Sequence, residues 1–236
     1  MAYTPDPISV LSLDLPAFII GIGFHEFCHA FAADRLGDPT PRSEGRVSLN
    51  PIEHLDPIGT ALPMYLALTG APLSFGWGKP VVVDPSRFRD PVQGYGIVSV
   101  AGPLGNLLIC IVFGLLMRFS GESSSALQFM TTPTGNYVYR LIFRIFVMNM
   151  GLFLFNLLPV PPLDGSKVVM WLGGEKAREI YDAIRPYSLF LLILVLASGI
   201  DRYVLIPLFI RLTLLLAGPG MAQYVFSPGA FVADFL

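Results

Sequence analysis

Three long apolar runs organise this chain, and each is broken by Pro, Gly or charged residues. The first lies in LDLPAFIIGIGFHEFCHAFAADRLGDP, where Asp14 suits an N-cap and Pro16 a first turn, while Gly37 and Pro39 end the pattern. A helix over 15–36 follows. At about 1.5 Å per residue, about 22 residues cover about 33 Å, one membrane crossing with His25 near the bilayer middle. The runs at 96–119 and 137–159 also have spanning length. Between the first two, residues 56–70 are apolar but short and interrupted by Pro63, which predicts a re-entrant hairpin or a strongly tilted helix. Beyond residue 186, two further membrane segments are expected, separated by Asp201 and Arg202.

Composition supports a membrane setting. Of 236 residues, 53% are hydrophobic and only 14% charged, and the mean hydropathy is +0.63, too apolar for an ordinary soluble domain. The expected fold is an all-α polytopic membrane protein with about five to six membrane segments. A short re-entrant or β-loop element falls between the first and second long helices. One domain over 1–236 is expected, with its core at about 15–170 and additional C-terminal membrane segments at about 187–217. A net charge of -2 without a Lys/Arg cluster implies no nucleic-acid partner, leaving the lipid bilayer as the environment. Cys28 and Cys110 are too few and too isolated for a disulfide framework. The N-terminal stretch lacks the basic region of a cleaved signal, so the first run is expected to be retained.

Residues 121–136 carry no Lys or Arg, whereas 159–186 carry Lys167, Lys176, Arg178 and Arg185. The positive-inside rule then puts the second of these loops, and the Arg35, Arg42 and Arg46 loop, on the cytoplasmic side. A multi-pass protein of a prokaryotic plasma membrane fits.

Within the first run, His25 and His29 are four apart, so both imidazoles share one helix face, with Glu26 beside them: an HExxH arrangement. Two histidines leave a tetrahedral zinc ion short of one protein ligand and one water. Hydrogen-bonded core histidines are the plain alternative, but ionisable groups inside a membrane segment point to function. The candidate third ligand is Asp164 in FNLLPVPPLDGS, expected on a non-helical turn after Pro159, Pro161 and Pro162.

HEFCH, AGPLGN and NLLPVPPLDG occur in this order over residues 25 to about 166, and together they resemble the site-2 protease family of intramembrane zinc metalloproteases. NPIEHLDPIGT after the first helix looks like the small branch of that family, and nothing reads as a PDZ or CBS domain. The resemblance implies one zinc ion on His25, His29 and Asp164, with Glu26 as general base. Transmembrane proteins would be the substrates, with the active site nearer the cytoplasmic side. It also implies supporting polar roles near the substrate for Asn106 and Asn156.

Read by themselves, these secondary positions stay open. Asn106 fits an interhelical hydrogen bond or a contact to the scissile carbonyl, and Asn149 and Asn156 share a helix face. His54 fits either a surface position or the mouth of the site. SFGWGKPVVVDPSRFRDP (74–91) reads as a short strand or β-loop that could pair with an unwound substrate, or as a loop anchored at the membrane surface. Convergence of the three motifs requires the first and third long helices to run parallel and the second antiparallel, which favours a re-entrant 56–70. The rival readings are a zinc or proton-coupled transporter and an inactive helix-binding relative.

Overall fold

In the computed structural model, which describes residue 8 and residues 10–69 and 76–219, the first apolar run forms helix α1, Leu15–Arg35. Its start differs from the expected cap. Asp14 already has helical backbone angles, at the end of a π-helical turn Val10–Asp14, and its side chain makes no capping bond. Capping needs an extended residue whose oxygen can fold back on the first amides. The carboxylate faces Arg144 Nε at 3.3 Å instead. At the other end Gly37, with φ 106°, turns the chain out of the helix.

A short helix α2, Thr40–Ser43, and a 3-10 turn, Pro51–His54, lead into α3, Pro57–Leu68. Twelve residues give α3 about 18 Å, too little to cross a bilayer core of about 30 Å. The chain returns beside it: Trp77 N–H donates to Gly59 O at 3.3 Å, and Gly78 forms a single antiparallel bridge with Leu55. Asp84 N–H then reaches Asp38 just past the end of α1. The excursion thus leaves and re-enters at one end of α1, the re-entrant path that converging motifs require. Residues 70–75, including the start of the 74–91 stretch, lie outside the described residues. Of the two expectations for this stretch, short strand or loop, Val81–Val83 forms no strand and runs as a loop. Side chains of the 38–46 loop bind the backbone at its two ends, and among the described residues no second strand lies alongside.

Helix α4, Pro91–Glu122, starts from Asp90, whose carboxylate accepts from Val92 and Gln93 N–H at 3.0 Å. It runs antiparallel to α1, with Val98 bonded to His29 and Asn106 to Gly21. After α5, Ser124–Met130, helix α6, Pro133–Asn156, runs parallel to α1: Tyr137 contacts Ser12, Arg144 pairs with Asp14, and Asn149 lies beside Gly21. Residues 157–163 are irregular and contain a cis Pro161-Pro162 bond. Helices α7 (Asp164–Ile184), α8 (Ser188–Ala197) and α9 (Ile206–Ala217) follow.

Among the described residues, four helical stretches are long and apolar enough to cross a membrane: Leu11–Arg35, Pro91–Glu122, Pro133–Asn156 and Asp164–Ala197. The last joins α7 to α8, while α3 and α9 are shorter. The chain is an all-α polytopic membrane protein. Cys110, Met117, Phe146, Val147, Met150, Leu154 and Ala217 form a core between α4, α6 and α9. Leu116 and Phe119 of α4 and Leu189 and Phe190 of α8 are exposed, as lipid-facing positions are.

The Asp14–Arg144 pair joins α1 to α6 on side chains only 12% and 10% exposed. Removing one partner of a buried pair costs about 3–5 kcal/mol, whereas replacing both by apolar residues is often neutral. Asp14→Leu should therefore lower the thermal unfolding midpoint in micelles, and Asp14→Leu/Arg144→Met should recover most of it.

Candidate metal centre

The middle of α1 presents His25 and His29 to the start of α7, where Asp164 stands. Asp164 is not on the non-helical turn expected from the prolines. Pro161 and Pro162 keep the preceding chain irregular, Leu163 is extended at the N-cap, and Asp164 is the first residue of the new helix. A carboxylate there is favoured by the positive end of the helix dipole. Gly165 permits α7 to start this close to α6, since a Cβ there would fall 2.5 Å from Leu158 O.

Three donor atoms meet. His25 Nε2 and His29 Nε2 are 3.0 Å apart, and each is 3.2 Å from Asp164 Oδ2. Their other ring nitrogens fix the tautomers. His29 Nδ1 lies 2.7 Å from Val98 O, which can only accept, so Nδ1 carries the proton. His25 Nδ1 lies 2.7 Å from Asn106 Oδ1, an acceptor because the Asn106 amide nitrogen already donates to Gly21 O and Asn149 Oδ1. In the neutral rings both Nε2 atoms are then bare acceptors aimed at a carboxylate oxygen. Such a triangle repels itself unless a metal ion occupies it or one of its nitrogens takes up a proton. Tetrahedral zinc with bonds of about 2.0–2.1 Å spaces its ligand atoms about 3.3 Å apart, close to the triangle present here. The donor set fits one zinc ion.

The support extends outward from this triangle. Asn149 Nδ2 donates to Ile145 O, which holds the oxygen that Asn106 uses. Lys167 Nζ donates to Asp164 Oδ1 at 3.0 Å, one turn along α7, leaving Oδ2 to the histidines. Gly102 gives the imidazoles room, because a Cβ there would lie 2.6 Å from His29 Cε1 and 2.7 Å from His25 Cε1.

These contacts also locate the secondary positions. Asn106 is wholly buried, with its amide oxygen and nitrogen both bonded inside the protein, the oxygen to His25 Nδ1. His54 is also wholly buried. Its Nε2 bonds Ser48 O at 2.7 Å within the 48–54 turn, and it lies outside the cavity lining. Asn156 does line the cavity, with Nδ2 turned back to Leu152 O.

The cavity beside the triangle has a volume of about 210 Å³. Glu26, Tyr95, Asn156 and Lys167 line it, with Val81 and Val83 from the returning loop. Glu26 packs against that loop: a Cβ on Gly78 would come 3.2 Å from its Oε1. Arg46 Nη2 stands 4.0 Å from Glu26 Oε2. At the far end of the loop, the Ser86 hydroxyl and amide beside Asp84 hold its carboxyl below the usual carboxylate range. Sequence reading missed Arg46, Lys167 and the part played by Asn149. Only Lys167 left a signal, its i+3 spacing from Asp164.

No family model matches the chain, and no solved structure matches it. Curated relatives do. A Bacillus subtilis protein, YwhC, provisionally named a zinc metalloprotease, is 33% identical over 204 residues, 86% of this chain and 88% of the relative. The Rip2 proteins of Mycolicibacterium smegmatis and Mycobacterium tuberculosis bear the same provisional description. They are 27% identical over 198 residues and 29% over 197, covering 83% and 82% of this chain and 71% and 70% of theirs.

Because Asn106 sets the His25 tautomer, Asn106→Ala should weaken zinc binding about 10- to 100-fold in chelator competition, with the helical fold retained. Wild-type affinity in the variant would show that His25 needs no such orientation.

Proposed function

As this chain belongs to the site-2 protease family of zinc metalloproteases, we propose that it hydrolyses peptide bonds within or near transmembrane helices of membrane-protein substrates. The observation that carries this reading is a buried His25–His29–Asp164 acceptor triangle that shares a cavity with a carboxylate, inside a bundle of membrane-length helices. His25, His29 and Asp164 would hold the ion. Zinc bound there supplies Lewis acidity, polarising a carbonyl and acidifying water.

The chain's own residues do the rest. Glu26 lies on the cavity wall next in sequence to His25, placed to take a proton from water and return it to the leaving amine. Lys167 holds Asp164 by its outer oxygen, so that the inner one keeps its direction. The peptide groups of Val81–Val83 make no hydrogen bond among the described residues. A substrate helix hides its own peptide groups and must unwind to be cut, and this segment offers an unwound stretch new partners. The basic loops at 35–46 and 159–186 support a site nearer the cytoplasmic side of a plasma membrane.

Glu26→Gln should keep one equivalent of zinc and lose about 10²- to 10⁴-fold in cleavage of a single-span substrate in proteoliposomes. Wild-type cleavage by that variant would refute the assignment. Zinc flux without cleavage in the wild type would turn the reading to transport.

A further inference from the structure

Two buried charges outside the metal triangle remain to be accounted for, and both act on the same piece of backbone. Arg46 is 1% exposed. Its Nη1 donates to Pro80 O at 3.1 Å and its Nη2 to Lys79 O at 2.5 Å, and Nη2 also faces Glu26. Asp38 is fully buried, taking Asp84 N–H on Oδ2 at 2.8 Å and Thr40 N–H on Oδ1 at 3.0 Å. The guanidinium thus fixes one end of residues 79–84 and the carboxylate the other. Between these anchors lie Val81 and Val83, which line the cavity, and Val82, which is 55% exposed.

A buried guanidinium is a poor way to gain stability, since apolar residues of similar volume usually serve as well or better. Its planar fork does what they cannot: it grips two successive carbonyls with its charge still beside a carboxylate. Asp38 is suited to the opposite end, where the exposed group is an N–H. Because only backbone atoms are gripped, the side chains and peptide groups of 81–83 are left to the cavity.

We propose that Arg46, with Asp38, is a positioning residue that clamps the Lys79–Asp84 segment as a rigid cavity wall against Glu26, fixing where a substrate backbone is received. The proposal rests on the proteolytic reading for its consequence and on geometry alone for the clamp.

The test uses the zinc-loaded full chain in micelles, comparing wild type, Arg46→Lys and Asp38→Asn. Lysine keeps the positive charge but cannot span both carbonyls, and asparagine lacks one of the two acceptor oxygens. Each variant should retain its zinc, exchange the hydrogen-bonded Lys79 and Asp84 amides at the two ends of 79–84 about tenfold faster, and raise KM about tenfold with kcat within about threefold. A merely structural role would lower the unfolding midpoint and leave KM alone. Unchanged exchange of the Lys79 and Asp84 amides in both variants overturns the clamp, as does faster exchange with wild-type KM. If Arg46→Lys does not fold, Asp38→Asn decides; if neither folds, both residues belong to the scaffold and the proposal fails. Should the wild type show no cleavage that depends on Glu26, the proteolytic reading falls while the exchange rates still decide the clamp.

Discussion

Three acceptor atoms pointed at one another inside an apolar bundle form the constraint on which the rest of this structure turns. Two imidazole nitrogens and a carboxylate oxygen within 3.0–3.2 Å demand a metal ion or a proton. Their convergence in turn demands a particular arrangement of helices. The histidines sit in mid-α1 and the carboxylate opens α7, so α6 must end beside His25, and α6 can do so only by running parallel to α1. Helix α4 fills the space between them in the opposite direction, bringing Val98 and Asn106 to the two outer ring nitrogens. Small residues make this approach possible: Gly102 faces the imidazoles and Gly105 faces Cys28.

Much of this was legible because membrane helices announce themselves by length and because the key side chains lie in short, ordered motifs. The span of α1 and the shared face of His25 and His29 follow from apolar run length and i+4 spacing. Errors arose where local signals met tertiary partners. Asp14 has the right residue type and position for a cap, but a cationic partner on α6 pairs with its carboxylate. The prolines before Asp164 implied a turn, yet proline excludes helix only around itself, and the new helix begins two residues beyond Pro162. Asn106 and His54 could be flagged as unusual from sequence, but which way a polar side chain points depends on its neighbours. One turned out to brace His25 and the other to bond within the 48–54 turn.

Arg46 is the residue whose part is least legible in the sequence. In sequence it is one basic residue of a polar loop, fully consistent with the cytoplasmic end of a membrane protein. Its burial comes from the return of the chain through 76–84, more than thirty residues later, and no periodicity encodes that return. The β-branched run there was equally ambiguous. Val81–Val83 has the composition of a strand, but a strand exists only with a second backbone to pair with.

That lack of pairing suits the cavity it borders. A helix could not form this wall and also offer peptide groups, since its own N–H and C=O groups are committed to one another. A strand within a complete sheet would be equally closed. An unpaired segment is open but has little to hold it in place, and in an apolar surrounding its free polar groups carry a penalty. Side chains that bind only its ends resolve the conflict, fixing the segment while leaving its centre open to partners. The cavity also contains carboxylates, an amide and an ammonium group, all of which favour water over lipid. The same openness gives water a polar place to stand beside the Val81–Val83 peptide groups.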